Sequence, residues 1–136
     1  MVQELIERLT DIAKSQPSVN AVAEGNIYEL LNSGGEVEKY AAVIVFIDNI
    51  VIEDDRCETS LVMYYVDRLT KDRKNRLAIQ DTAVTTLHNI IASLDSDYEV
   101  TETYTPFTER FTDVCAGAYV RLTLTDELDN CFETYG

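Results

Sequence analysis

The sequence contains no tryptophan, one histidine, two prolines and five glycines in 136 residues. Three widely spaced cysteines, Cys57, Cys115 and Cys131, form no Cys-x-x-Cys pair, and with His88 they lack the spacing of a four-ligand zinc site. No metal and no cofactor are expected, and the thiols read as reduced structural residues. The Gly34-Gly35 pair is not followed by the Gly-Lys-Thr of a phosphate loop, and no Gly-x-Ser-x-Gly elbow occurs. His88 has no acid–base partner beside it in sequence and reads as a residue at the border of a helix's apolar stripe. Carboxylates are so abundant that no acidic pair is singled out as catalytic. The chain reads as a non-enzyme. No apolar run is long enough to span a bilayer, and the first residues, Met-Val-Gln-Glu-Leu-Ile-Glu-Arg, lack the basic start and apolar block of a signal peptide. Synthesis and use in a cytoplasm, or in particles assembled there, is the expectation.

Positive charge is also scarce. Eleven Lys and Arg face 25 Asp and Glu, a net charge of −14. General nucleic-acid binding requires basic surface that displaces counterions, and this balance argues against it. An acidic surface keeps a protein soluble, and it would also repel DNA inside a channel through which DNA slides.

Hydrophobic residues make up 46% of the chain, enough for a buried core in a single domain over 1–136, with 126–136 an acidic C-terminal tail. The organising stretch is Tyr40–Asp67. Tyr40–Ile47 is uncharged and rich in β-branched residues, and Leu61–Val66 is apolar at odd and even positions alike. Alternate strand side chains point to opposite faces, so these runs imply a sheet covered on both sides. The expected fold is α+β: an antiparallel or mixed sheet with a long β-hairpin and two helices packed on one face. The other face then needs a partner, which is the first sign of an assembly.

Val2–Ala13 has the 3,4 spacing of an amphipathic helix that Pro17 prevents from continuing. Val19–Ala23 and Ile27–Leu31 read as short strands about a Gly25-Asn26 turn, with helix the competing assignment for 27–31. Residues 48–56 read as an extended hairpin connection with an apolar tip at Ile50, Val51 and Ile52; alternatively the strands run longer and turn at Asp54–Arg56. Arg68, Lys71, Arg73, Lys74 and Arg76 place five of the eleven cations in nine residues, at the end of a helix where its dipole disfavours them. Either this is a solvated loop or it contacts the acidic surface of a neighbouring copy. Asn75–Leu94 carries a continuous apolar stripe with Gln80 near its middle, where a polar amide needs a partner. Tyr98–Thr105 alternates as a strand, 106–113 reads as a connection, and Val114–Thr125 reads as the last strand. Gly117 there marks a bulge or a close backbone approach.

Gly25-Asn26-Ile27-Tyr28 followed by a strand opening at Tyr40 resembles the tail-terminator and neck-ring proteins of tailed bacteriophages. Tyr65–Thr70, Ile79–Thr82 and above all Phe107–Tyr119 resemble structural proteins of crAss-like gut phages. The resemblance implies a virion protein forming a ring of six or twelve copies at the head–tail junction, between portal-proximal and tail components. DNA would pass through the lumen without specific binding, and no membrane would be involved. On that reading the oligomer interface is expected at Ile50, Val51, Ile52, Arg68, Lys71, Arg73 and Lys74. The alternative is a non-enzymatic adaptor domain that binds another protein through an exposed sheet face. An enzyme acting through His88 is a distant third.

Overall fold

The computed structural model describes residues 2–32, 39–94, 102–111 and 113–127. Their order is α1 (Val2–Lys14), β1 (Ala21–Glu24), α2 (Ile27–Leu31), β2 (Ala42–Glu53), β3 (Arg56–Arg68), α3 (Arg76–Ala92), β4 (Tyr104–Arg110) and β5 (Val114–Glu127). The strands form one mixed sheet ordered β1-β2-β3-β5-β4, in which only the β1–β2 pair is parallel. The fold is α+β, as the pattern implies.

The two long helices lie on the same face of the sheet. Leu5, Leu9 and Ala13 of α1 and Ile79, Ala83, Leu87, Ile90 and Ile91 of α3 join Val43, Val45, Leu61, Met63, Tyr65, Val120, Leu122 and Leu124 in one cluster. The second face is thinner. There Ile27, Leu30 and Leu31 of α2 close over Ala42, Ile44, Val66, Phe111 and Cys115. Ten of the twelve largest fully buried side chains belong to the first cluster. At about 1.5–3 kcal/mol for each buried large aliphatic side chain, that face carries most of the hydrophobic stabilisation.

Several local expectations change. Residues 27–31 are helical, the competing assignment, because Asn26 caps them: its Oδ1 accepts from the backbone N–H groups of Tyr28 (2.9 Å) and Glu29 (3.4 Å). The second face is therefore partly covered from within the chain, by a third helix. The hairpin follows the alternative reading of longer strands: they run to Glu53 and from Arg56, so 48–53 is strand and Asp54-Asp55 turns. Asp54 adopts φ 51°, a left-handed conformation that Asp tolerates better than most residues. Of the expected strand at Tyr98–Thr105, residues 98–101 lie outside the described residues, and the strand observed begins at Tyr104 and continues through Arg110. Residues 106–110, expected in a connection, thus belong to β4, an edge strand, where the missing N–H of Pro106 is tolerated. The tail from 128 onward lies outside the described residues.

Gly117 is a close approach rather than a bulge. Its register is continuous, with Val66 on one side and Phe107 on the other, and a Cβ there would overlap the Tyr65 carbonyl oxygen. Gln80 finds its partners: its Nε2 donates to the Phe107 carbonyl (3.1 Å) and its Oε1 accepts from Arg76 (3.3 Å).

Candidate assembly interface

The parallel strand β1 covers β2 only from Ala42 to Val45. Among the described residues, β2 from Phe46 to Glu53 is paired on one side alone, by β3, and forms a sheet edge. Unpaired edges present N–H and C=O groups that other chains can engage. Proteins usually blunt such edges with charge. Here the outer half instead carries Ile50, Val51 and Ile52, exposed by 43%, 39% and 52%.

A register shift between Ile47 and Asn49 sets the direction of these side chains. Strand side chains alternate with period two, so one extra residue exchanges the faces beyond it. Val43, Val45 and Ile47 face the helices; after the extra residue, Ile50 and Ile52 pair with Thr59 and Cys57 and share that face. Val51 faces the other way, opposite Glu58. Asp48, at the shift, accepts from the Arg121 guanidinium of β5 at 3.1 Å. The arm is therefore apolar on both surfaces and ends in Glu53, Asp54 and Asp55.

The basic segment lies at the other end of β3. Arg68 closes that strand, its guanidinium 5.1 Å from the Tyr40 ring centre. Lys71, Arg73 and Lys74 are exposed on the loop leading to α3. The loop is tied down internally. The Asn75 side chain accepts from the Thr70 N–H (2.9 Å) and donates to the Arg68 carbonyl (3.2 Å). Asp72 accepts from the Thr70 hydroxyl (2.6 Å) and the Lys74 N–H (3.1 Å). The hydroxyl bond holds the Asp72 carboxyl below its ordinary pKa. Because Asn75 is occupied in this way, it makes no side-chain cap on α3, and no acid stands in the first turn of that helix. Among the described residues neither Lys71 nor Arg73 has a side-chain partner. Leu77, just inside α3, is exposed by 68%. The expected interface residues thus fall into two groups at opposite ends of β3, separated by roughly 40 Å at strand rise.

The second sheet face holds an aromatic patch that sequence reading did not assemble. Tyr64 stands between Phe107 and Tyr119, with ring centres 6.2 and 5.5 Å away, and Tyr28 packs against Phe111 at 5.6 Å. They line a shallow cavity of about 250 Å³ with Glu109 and Arg121 at its rim. Tyr64, Tyr119 and Phe107 come from three strands, so only the β3–β5–β4 register brings them together. A second cavity of about 330 Å³ lies between Ser18, Asn20, Tyr40, Asp67 and Thr82; on its wall the Tyr65 hydroxyl donates to the Ser18 carbonyl (3.2 Å).

His88 does have an acidic neighbour. Its Nδ1 lies 2.9 Å from Glu102 Oε1, which also accepts from the Tyr104 hydroxyl at 2.7 Å. Burial acts to raise the Glu102 pKa, but the bonds from Tyr104 and His88 together outweigh it and leave it lowered. The trio straps α3 to the start of β4. No group of three or more metal-ligating side chains is present among the described residues. No described helix is long and apolar enough to cross a membrane.

The expectation of three free thiols is corrected at Cys57, which is disulfide-bonded. Sequence spacing does not reveal which cysteines meet in space. Cys115 is free and buried, and burial pushes its thiol up to about 11. Comparison with models of known protein families finds no match, and comparison with curated proteins finds none.

Proposed function

We propose that this chain is a structural ring protein of a tailed-phage virion, a tail-terminator or neck protein joining portal-proximal and tail components around the DNA channel. The observation that carries the reading is the outer half of β2, which exposes Ile50, Val51 and Ile52 along an edge that no described strand pairs. A subunit that never met another copy would carry this as an aggregation site. In a ring of six or twelve copies it is covered. The net charge of −14 suits a lumen that lets DNA slide rather than holding it. The Phe107–Tyr119 block that resembles phage structural proteins begins within β4 and ends within β5. A disulfide at Cys57 accords with a protein that spends its working life outside a reducing cell, as a released virion does.

The aromatic patch on the second face supports another reading, an adaptor that binds a different protein through Tyr28, Tyr64, Phe107 and Tyr119. Size-exclusion chromatography with light scattering separates the two. The ring reading expects one closed oligomer at a whole multiple of 15.4 kDa. A monomer that persists at every concentration and ionic strength favours the adaptor and overturns the ring.

A further inference from the structure

The two exposed ends of β3 are complementary in charge, and each has an apolar centre. Residues 48–58 hold five carboxylates against Arg56 alone. Within them Ile50, Val51 and Ile52 are exposed. Residues 67–77 hold five cations against Asp67 and Asp72. Within them Leu77 is the most exposed large hydrophobic residue described. A 13-residue strand holds these regions apart, so the arm cannot reach the collar of its own chain.

We propose that the acidic, apolar-tipped arm of one copy seats on the basic collar around Leu77 of the next copy. The contact joins two different surfaces, so it is heterologous. Such contacts close into rings when the rotation between copies permits, and otherwise extend as filaments. Like ends repel, which disfavours the tip-to-tip pairing that an apolar edge would otherwise permit. The collar is preformed, because the Asn75 and Asp72 bonds already fix the loop that presents Lys71 and Lys74. Little ordering is left to occur on binding. The inference rests on the self-assembly part of the ring reading and is independent of where in a virion the ring sits.

The test uses the full chain with a benzophenone amino acid at Val51, irradiated at low ionic strength in a mixture of ¹⁴N- and ¹⁵N-labelled protein. Mixed-isotope crosslinks are expected within residues 68–80 of the second copy. Inter-copy crosslinks that fall on a second arm or on the Tyr64–Tyr119 face would overturn the contact, as would none at all. Circular dichroism checks that the labelled chain is folded. Charge reversal gives an independent readout. Lys71→Glu with Lys74→Glu, and separately Glu53→Lys with Asp55→Lys, should each raise the self-association Kd about tenfold or more. Asp54 is left unchanged because of its left-handed φ. All four changes in one chain should restore association to within about threefold of the parent, since the reversed arm then meets a reversed collar. Losses that simply add overturn the pairing. Association through some other surface sinks this contact and leaves the ring reading standing. The head-to-tail contact in a chain that occupies no virion neck supports the contact and sinks the virion reading.

Discussion

Gly117→Ala is the most informative single change for the fold. Gly117 sits in β5 between Val66 of β3 and Phe107 of β4. An added Cβ would overlap the Tyr65 carbonyl oxygen and lie 2.9 Å from its carbon, so the obstacle is main chain that cannot rotate away. The β3 and β5 strands must separate locally, at the pairing that holds the sheet's centre. Over-packing a core typically costs about 1–3 kcal/mol, and a main-chain clash belongs at the top of that range, about 3 kcal/mol. For a chain of this length, each kcal/mol lowers Tm by roughly 3–5 °C. The expected fall in Tm is about 10 °C or more, read by thermal melting at 222 nm. Thr123→Ala, exposed on the same strand, is the control: it loses only the hydroxyl contact with Ser60 (3.2 Å) and should cost no more than about 1 kcal/mol. A Gly117→Ala protein melting within about 2 °C of the parent would refute the close approach and with it the β3–β5 register.

Replacing Ile50, Val51 and Ile52 by Ser should leave helical circular dichroism intact while weakening self-association, as read by sedimentation velocity; loss of helical signal would place the tip in the subunit's own core. Under native conditions Cys115 should resist thiol reagents, because its buried thiol is pushed up to about 11. One thiol should titrate on denaturation without reductant and three after reduction; three without reductant would contradict the Cys57 disulfide. Glu102 has a lowered folded pKa, so its contribution is present above the ordinary carboxylate value of 4.5 and is lost as pH falls through the folded value. Glu102→Gln should therefore flatten the pH dependence of Tm below about pH 4.5. An unchanged profile would mean that the strap between α3 and β4 contributes nothing.

The parts of the fold legible in the sequence are those where one physical term dominates. The apolar stripe of α3 and the doubly apolar runs of β2 and β3 could belong only to a helix and to interior strands. Gln80 announced a missing partner, and the fold supplies the Phe107 carbonyl. Short elements were harder, because five residues carry too little periodicity. Helix α2 is decided by two hydrogen bonds to Asn26, a capping signal that stood in the sequence beside a glycine suggesting a turn. Residues 106–113 read as a connection, and nothing local shows that 106–110 will continue an edge strand.

The candidate interface was half legible. Exposed apolar residues and clustered cations are visible as composition. Their placement at opposite ends of β3 follows from how far the strands extend, and sequence left that open. The register shift at Asp48 turns Ile50 and Ile52 to the helix side, and no residue pattern reports it. Leu77 lies just before the apolar stripe of α3, and its exposure follows only from how that helix packs. The aromatic patch and the His88–Glu102 pair each join residues from separate elements, so they wait on the tertiary structure.

The central claim is that this chain works as a ring at a virion neck. Cryo-electron microscopy of intact tailed particles containing it is the most direct test. The proposal predicts density for this fold as a closed ring of six or twelve copies at the head–tail junction, coaxial with the DNA. Particles whose neck is fully accounted for by other chains, or a preparation in which this chain stays soluble and apart from them, would contradict it.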